Sequence, residues 1–326
     1  MSKNYLLGID IGTSACKVAV FDREGKVIAS ATGDYPVYYP QEGWAQQKPD
    51  EWWSAVCSAV RKCLVKGDIP PEEIAGVGID GQSWSAIAID KEGKVLTDTP
   101  IWMDTRAQEI CDRLNQEIGS DNIFQVAGNS LQPSYTTAKI LWYRENQPEV
   151  YKNIYKILQS NSFIAYRLTG TVTQDLSQGY GLHCFNMHTG KWDEKMCEKL
   201  GIPMDFLPDI VPCDQVVGTV TRTAAEQSGL AEGTPVVAGG LDAACGTLGA
   251  GVIHPGETQE QGGQAGGMSI CTDTYKADPS LILGFHVVPG QWLLQGGTTG
   301  GGGVMRWFER EFGEFERSQE EKTGKS

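Results

Sequence analysis

Histidine is scarce: the 326 residues hold four. Nine cysteines (16, 57, 63, 111, 184, 197, 213, 245 and 271) are present, but no two form a Cys-x-x-Cys pair. None stands at zinc-ligand spacing from a histidine, which excludes a structural zinc centre. Scattered thiols without a disulfide framework read as small apolar core residues in a reducing compartment, the cytoplasm. Positive charge is also short. Lysine and arginine number 27 against 41 acidic residues, for a net charge of −14. No basic cluster relieves that balance, so nucleic acid is excluded as a partner class. No run of 18 apolar residues exists, and the first residues lack a signal-peptide pattern. A membrane span is therefore not expected. No repeat of 20–50 residues is visible.

Glycine is plentiful, with 40 residues, many of them at 239–267 and 296–303. Glycine that dense at the ends of predicted strands points to backbone lying close to a ligand. The most informative segment runs from Tyr5 to Asp22. An apolar run leads to Asp10, then Gly12-Thr-Ser14, then an alternating run from Cys16 to Phe21. The pattern predicts a strand, a tight turn and a returning strand. Such a turn offers backbone N–H groups, two hydroxyls and Lys17 to phosphate oxygens, while Asp10 can hold a hydrated Mg²⁺.

A third strand is expected at 26–34, and a helix at 50–65 behind Pro49. Trp53, Val56, Val60, Cys63 and Leu64 share one face of that helix. Further strands are expected at 74–80, 85–90 and 235–239. Further helices are expected at 105–117, 137–146, 161–168, 193–200 and 242–249. A meander of strands followed by alternating helices and strands is a mixed α/β layout. Pro255 and Gly256 suggest a boundary, giving units of 1–255 and 256–326. Beyond it, strands near 267–272, 281–287 and 291–295 lead to a helix near 301–312. The end, 317–326, is polar and carries no core-forming pattern.

Two familiar motifs fail. Gly76-Val-Gly-Ile-Asp-Gly81 matches G-x-G-x-x-G, but it lies within a strand and opens no helix, so it is no dinucleotide fingerprint. Gly324-Lys-Ser326 lacks the upstream glycine of a P-loop, since Gln319 stands there. By contrast, Gly239-Gly-Leu-Asp242 follows a strand and opens a helix. Asp242 reads either as a helix cap or as a carboxylate facing the cleft at a strand's C-terminal end, where it could accept a hydroxyl proton.

These elements, taken in order, resemble the FGGY carbohydrate kinases, in their xylulokinase-like branch. Gly8-Ile-Asp-Ile-Gly-Thr-Ser14 is similar to the family's first phosphate motif. Gly43-Trp-Ala-Gln-Gln-Lys-Pro-Asp-Glu-Trp-Trp53 and Ile101-Trp-Met-Asp-Thr-Arg-Ala107 resemble its tryptophan-rich motifs. Gly233-Thr-Pro-Val-Val-Ala-Gly-Gly240 and Gly296-Gly-Thr-Thr-Gly-Gly-Gly-Gly-Val-Met-Arg-Trp307 also recur in such kinases. The resemblance implies an actin-like ATPase (RNase H-like) fold, with ATP and Mg²⁺ as cofactors and a sugar or polyol as substrate. It implies that Asp242 is the general base and that Asp10 and Asp242 hold the metal. Gly12, Thr13, Ser14 and Lys17 would bind phosphates, joined from the second domain by Gly263, Gln264 and Gly266. Gln82, Ser83, Trp84, Trp102, Asp104, Arg106 and Tyr135 would meet the sugar.

The chain departs from the family at three points. Gly81-Gln-Ser-Trp-Ser85 stands where xylulokinases carry Gly-Gln-Met-His-Gly. Gly263-Gln-Ala-Gly266 replaces a loop that usually reads Gly-Thr-Ser-Gly. The adenine-binding motif does not appear after Trp307. The expectation is a complete first domain and a partial second, truncated and inactive as a kinase. Residues 257–326 are expected to be either loosely ordered or packed in a non-native way, with apolar faces such as Leu281–Phe285 and Trp292–Leu294 exposed. A homodimer is compatible with the family. A non-catalytic sugar-binding protein of the same fold and an actin-like ATPase of chaperone or filament type stay open as alternatives.

Overall fold

The computed structural model describes residues 4–262, 266–298 and 300–324. Strand alternation builds its centre. In Tyr5–Ile11, the side chains of Leu7, Ile9 and Ile11 are buried; in Ala15–Phe21, those of Cys16, Val18 and Val20 are. These two strands and Val27–Asp34 form the expected antiparallel meander. The helix Pro49–Gly67 packs on the second and third strands. Its apolar face holds the predicted residues, with Trp52 fully buried among them. Proline at its first position needs no N–H partner there.

The sheet continues on the other side of the first strand. Ile74–Gly81 pairs with it in parallel, Pro235–Val237 pairs with Ile74–Gly81, and Val216–Thr219 closes the edge. The short strand Gly240–Leu241 also lies parallel to Ile74–Gly81. Register decides what comes together at the strand ends. Asp10 stands opposite Asp80, and Gly240 stands opposite Asp80 from the other side. The C-terminal ends of three parallel strands thus bring Asp10, Asp80 and Asp242 to one edge, where open α/β sheets bind ligands.

A second apolar cluster lies beside the sheet. It gathers Ile110 and Leu114, Ile123, and Ile140, Leu141 and Tyr143 from the helices Gln108–Leu114, Ser120–Ala127 and Thr136–Asn146. The single helix expected over 105–117 is shorter here. It passes into a π-helical turn at Asn115–Gly119 and restarts as Ser120–Ala127, with Gly119 at φ +92° between the two. The strand expected over 85–90 is reduced to Ile87–Ile89, because Trp84 just before it leaves the extended region with φ +59°.

Beyond residue 257 the chain forms a four-stranded antiparallel sheet. Its strands are Thr258–Gly262, Gly266–Thr272, Trp292–Thr298 and Ile282–Phe285, in that order. It is docked rather than loose. Cys271, Leu283, Phe285 and Leu293 share a buried cluster with Tyr180, Phe185, Met187 and Leu241 of the preceding chain. Asn129 clamps the sheet by accepting from Leu283 N at 2.9 Å and donating to Leu283 O at 2.8 Å. The apolar strands expected to be exposed are therefore largely covered; Leu281 alone of those named stays open, at 37%. The helices Gly302–Phe312 and Glu314–Thr323 follow, so the polar end is helical up to Thr323. Their apolar side chains Trp307, Phe308, Phe312 and Phe315 are exposed. All nine cysteines are free, and no described helix is long and apolar enough to cross a membrane.

One glycine is indispensable to this layout. Gly239 adopts φ +74°, and a Cβ there would lie 1.7 Å from the Ile79 carbonyl oxygen. Gly239→Ala should therefore cost about 3 kcal/mol or more, through strain and displacement of the strand that carries Asp242. Urea unfolding of the variant checks this; a loss below about 1 kcal/mol would show that the strand shifts freely.

Candidate active site

Two cavities flank the aspartate-bearing edge of the sheet. The first, of about 560 Å³, has Gly8, Gly78 and Gly239 in its floor and Asp10, Lys17 and Asp80 on its wall. Lys17 reaches Asp10 at 3.2 Å while remaining largely exposed. The Asp80 carboxyl is held well above the usual carboxylate range. Burial is the main cause, followed by the negative charges of Asp10 and Asp242 and a hydrogen bond shared with Asp10. Asp242 is pushed up to about 7, chiefly by burial, with Asp10 adding and the Ala243 N–H opposing. Sequence reasoning passed over Asp80. It gave 74–80 as a strand and its glycines as a failed dinucleotide motif, although a carboxylate at a strand's C-terminal end was the available signal.

Asp242 is the first residue of the helix Asp242–Gly249, and the cap position belongs to Leu241. Its Oδ1 accepts from the N–H of the adjacent Ala243 at 2.6 Å, not from the second or third helical residue as a capping side chain would. The strand before it is pinned where Ser177 Oγ accepts from Leu241 N at 2.9 Å and donates to the buried Asp175 carboxylate at 2.6 Å. That carboxylate also accepts from Asn161, Gln174 and the Gln178 N–H, so the network behind Asp242 is well supplied with donors.

The second cavity, of about 300 Å³, is lined by Gln82, Ser83, Trp84, Trp102 and Tyr180, with Asp242 at its border. Across it stand Gln261, Ser269 and Gln295 of the four-stranded sheet. Trp84 stacks on Tyr135 with ring centroids 4.1 Å apart and meets Tyr180 edge-on. Trp102 Nε1 donates to Thr13 Oγ1 at 3.0 Å. Gln82 Nε2 donates to Gln47 Oε1, and Gln47 in turn donates to the Thr13 and Pro36 carbonyls. The cavity thus combines aromatic faces with hydroxyl and amide groups, the lining a polyol needs. Tyr180, Gln47 and the residues across the cavity had no recognisable local signal, since tertiary packing alone places them there.

Several expected residues sit elsewhere. Tyr135 is buried behind Trp84 and does not line the cavity. Asp104 and Arg106 form a buried bidentate pair, Nε to Oδ1 at 2.9 Å and Nη2 to Oδ2 at 2.8 Å. The Arg106 guanidinium lies 3.8 Å from the Trp44 ring centre, and Asp104 Oδ2 also accepts from Ala45 N. The two side chains are 0% and 2% exposed, and Arg106 Nη2 also donates to Gln46 Oε1 at 2.9 Å. Thr13 and Gly266, expected at phosphate, line the aromatic cavity instead. Gly12 and Ser14 belong to the turn beside it; the Gly12 carbonyl accepts from Tyr35 Oη, and Ser14 is exposed. Gly263 and Gln264 lie outside the described residues.

Residues 5–249 match the FGGY family of carbohydrate kinases, N-terminal domain. The chain belongs to that family. This FGGY chain is 29% identical over 310 residues to the xylulose kinase of Bacillus subtilis, covering 94% of the chain and 62% of the relative. It is 27% identical over 322 residues to the gluconokinase of Bacillus licheniformis, covering 98% and 62%. The crystal structure of xylulose kinase from Rhodospirillum rubrum superposes with a TM-score of 0.90 at 26% identity, over 97% of this chain and 65% of that one. The actin-like, RNase H-like fold expected from the resemblance is therefore present. The FGGY chain spans under two thirds of the length of these relatives.

Burying carboxylates has a measurable consequence. The unfolded chain releases the Asp80 proton near the ordinary value of about 3.9, while the folded chain retains it to much higher pH. Stability therefore falls as pH rises through that interval, by at most about 1.4 kcal/mol per unit. Asp80→Asn should raise the urea midpoint, and the gain should grow between about pH 5 and about pH 8. A gain that shrinks with pH would contradict this placement of the proton. Asp104→Ala, which leaves Arg106 buried and unpaired, should cost about 3–5 kcal/mol in the same assay. A loss confined to sugar affinity would return the pair to the binding site.

Proposed function

We propose that this chain carries the sugar-binding and catalytic part of an ATP-dependent sugar kinase. The reaction moves the γ-phosphoryl group of ATP to a hydroxyl of a ketopentose or related polyol. The observation that carries this reading is the position of Asp242. It borders the aromatic cavity, while Asp10 and Lys17 of the glycine-floored cavity set its charge environment. A hydroxyl held in the aromatic cavity and a phosphate held in the glycine-floored cavity would meet beside its carboxylate.

In this reading the Asp242 carboxylate accepts the proton of the sugar hydroxyl as its oxygen attacks the γ-phosphorus. The bond to ADP then breaks on the opposite side. A base near 7 suits operation at neutral pH. Lys17 and the N–H groups of Thr13 and Ser14 hold phosphate oxygens, while the Gly12 N–H closes the turn on the Ala15 carbonyl. Gln82, Ser83, Trp84, Trp102 and Tyr180 hold the sugar. Among the described residues no group of three His, Cys, Asp or Glu side chains could cage a metal. Mg²⁺ does not require one, since it keeps several waters and usually takes one or two carboxylates with the substrate phosphates. Asp10 and Asp80 fit that need, and the ion would neutralise charge on the phosphate oxygens.

The cavity also bears on the sugar. Among the described residues lining it, no lysine or arginine occurs, and Asp242 supplies negative charge. A neutral ketose or polyol suits that field better than a sugar carboxylate. Trp84, where the related xylulokinases carry histidine, offers a donor and no acceptor.

The test is sugar-dependent formation of ADP from ATP over a panel of ketoses, polyols and sugar acids, with D-xylulose binding measured in parallel. Asp242→Asn should lower turnover by at least about a hundredfold while D-xylulose affinity stays within about threefold. Turnover should also decline below about pH 7 as the base takes up its proton. Turnover that survives the substitution would remove Asp242 as the base. Failure to bind any ketose or polyol would remove the sugar reading of the cavity.

A further inference from the structure

The fold buries one lysine completely. Lys139, in the helix Thr136–Asn146, is 0% exposed. Withdrawing an ammonium from water costs several kcal/mol unless its donors are met. No carboxylate salt-bridges it among the described residues. Its donors go instead to three backbone carbonyls: Trp84 O at 2.8 Å, Ile101 O at 2.7 Å and Ser134 O. Three acceptors match the three N–H bonds of an ammonium, whereas a neutral amine has only two. Burial draws its pKa down to about 7, with Arg106 adding to that shift and Asp104 and Cys111 opposing it.

The three carbonyls are not a random set. Trp84 lines the aromatic cavity, Ile101 precedes Trp102, and Ser134 precedes Tyr135, the ring on which Trp84 stacks. Trp84 sits at φ +59°, a conformation that costs a large side chain about 1–3 kcal/mol and persists only where the surroundings over-determine it. Here the N–H of Trp84 donates to Gln159 Oε1 at 3.0 Å, and its carbonyl is held by Lys139. Each of the three segments is distant from the others in sequence. The Lys139 ammonium bonds to all three.

We propose that Lys139 is a positioning residue for the sugar cavity: its ammonium draws the Trp84, Trp102 and Tyr135 segments together and so builds the aromatic wall. It touches no ligand, because all its donors are spent within the protein and it has no exposed surface. The proposal rests on the sugar reading of that cavity and adds the residue that assembles it.

Lys139→Met keeps the aliphatic stem and removes all three donors. The variant should change the near-ultraviolet circular dichroism of the stacked Trp84–Tyr135 pair. It should also weaken D-xylulose binding by at least about tenfold while ADP affinity stays within about twofold. A general loss of stability would lower both affinities together, and that result, or unchanged dichroism and sugar affinity, overturns the proposal. The dichroism needs no sugar, so it still decides the role of Lys139 if the wild-type chain binds no D-xylulose and the sugar reading itself fails. Should the variant not fold, ¹⁵N-resolved spectra of the lysine side chains in the wild-type chain provide the second measurement. One ammonium protected from solvent exchange is expected; rapid exchange at every lysine overturns the proposal.

Discussion

The parallel register between Tyr5–Ile11 and Ile74–Gly81 is the constraint on which the rest depends. It sets Gly8 beside Gly78 and Asp10 beside Asp80. The glycine pair leaves the sheet surface bare enough for a ligand to approach the backbone. The aspartate pair places two like charges side by side, a state that favours retaining a proton between them. A one-residue slip would send these side chains to the opposite face and bury the carboxylates in the core under the helix Pro49–Gly67. The alternating Leu7, Ile9 and Ile11, buried on that side, oppose such a slip. Hydrophobic burial on one face of the sheet thus fixes the electrostatics on the other.

The same edge explains why the site is electrostatically strained. Asp10, Asp80 and Asp242 converge with Lys17 as the cation paired to Asp10, and Lys17 is mostly exposed. Water screens a charge in that position, so it compensates the cluster weakly. The fold tolerates the arrangement because buried apolar area elsewhere is large and because the backbone behind Asp242 is tied down through Ser177 and Asp175. Concentrated negative charge is a poor device for stability and a useful one for binding cations and accepting protons.

The aromatic cavity follows a different logic. Its rings come from segments that do not pair as strands, so side-chain hydrogen bonds must place them. Lys139 reaches three carbonyls, Gln159 reaches the Trp84 N–H, and Asp104 with Arg106 stiffens the turn after Trp102. The carboxylate and guanidinium expected at the sugar form a buried ion pair in this structure. Trp102 of the same motif lines the aromatic cavity, and the motif's polar residue types suit two jobs. Burial favours the framing role: the two side chains are 0% and 2% exposed and bond to each other.

Much was legible in the residues themselves. The first hairpin, the Pro49 helix, the strand ending at Asp80 and the helix beginning at Asp242 follow from short-range periodicity, proline placement and glycine punctuation, which act over a few residues. The family, too, was readable from the order of its motifs. Other features lay beyond local pattern. Asp10 meets Asp80 because strands some seventy residues apart pair in parallel. The sheet beyond residue 257 is covered because Asn129 and Tyr180 happen to face it. Lys139 reads as an ordinary helix residue until the distant Trp84 and Ile101 carbonyls join the nearby Ser134 carbonyl on it. Local sequence determines which backbone shapes are cheap. Tertiary structure alone decides which polar groups lose water together, and so which carboxylates keep protons and which cations hold a wall in place.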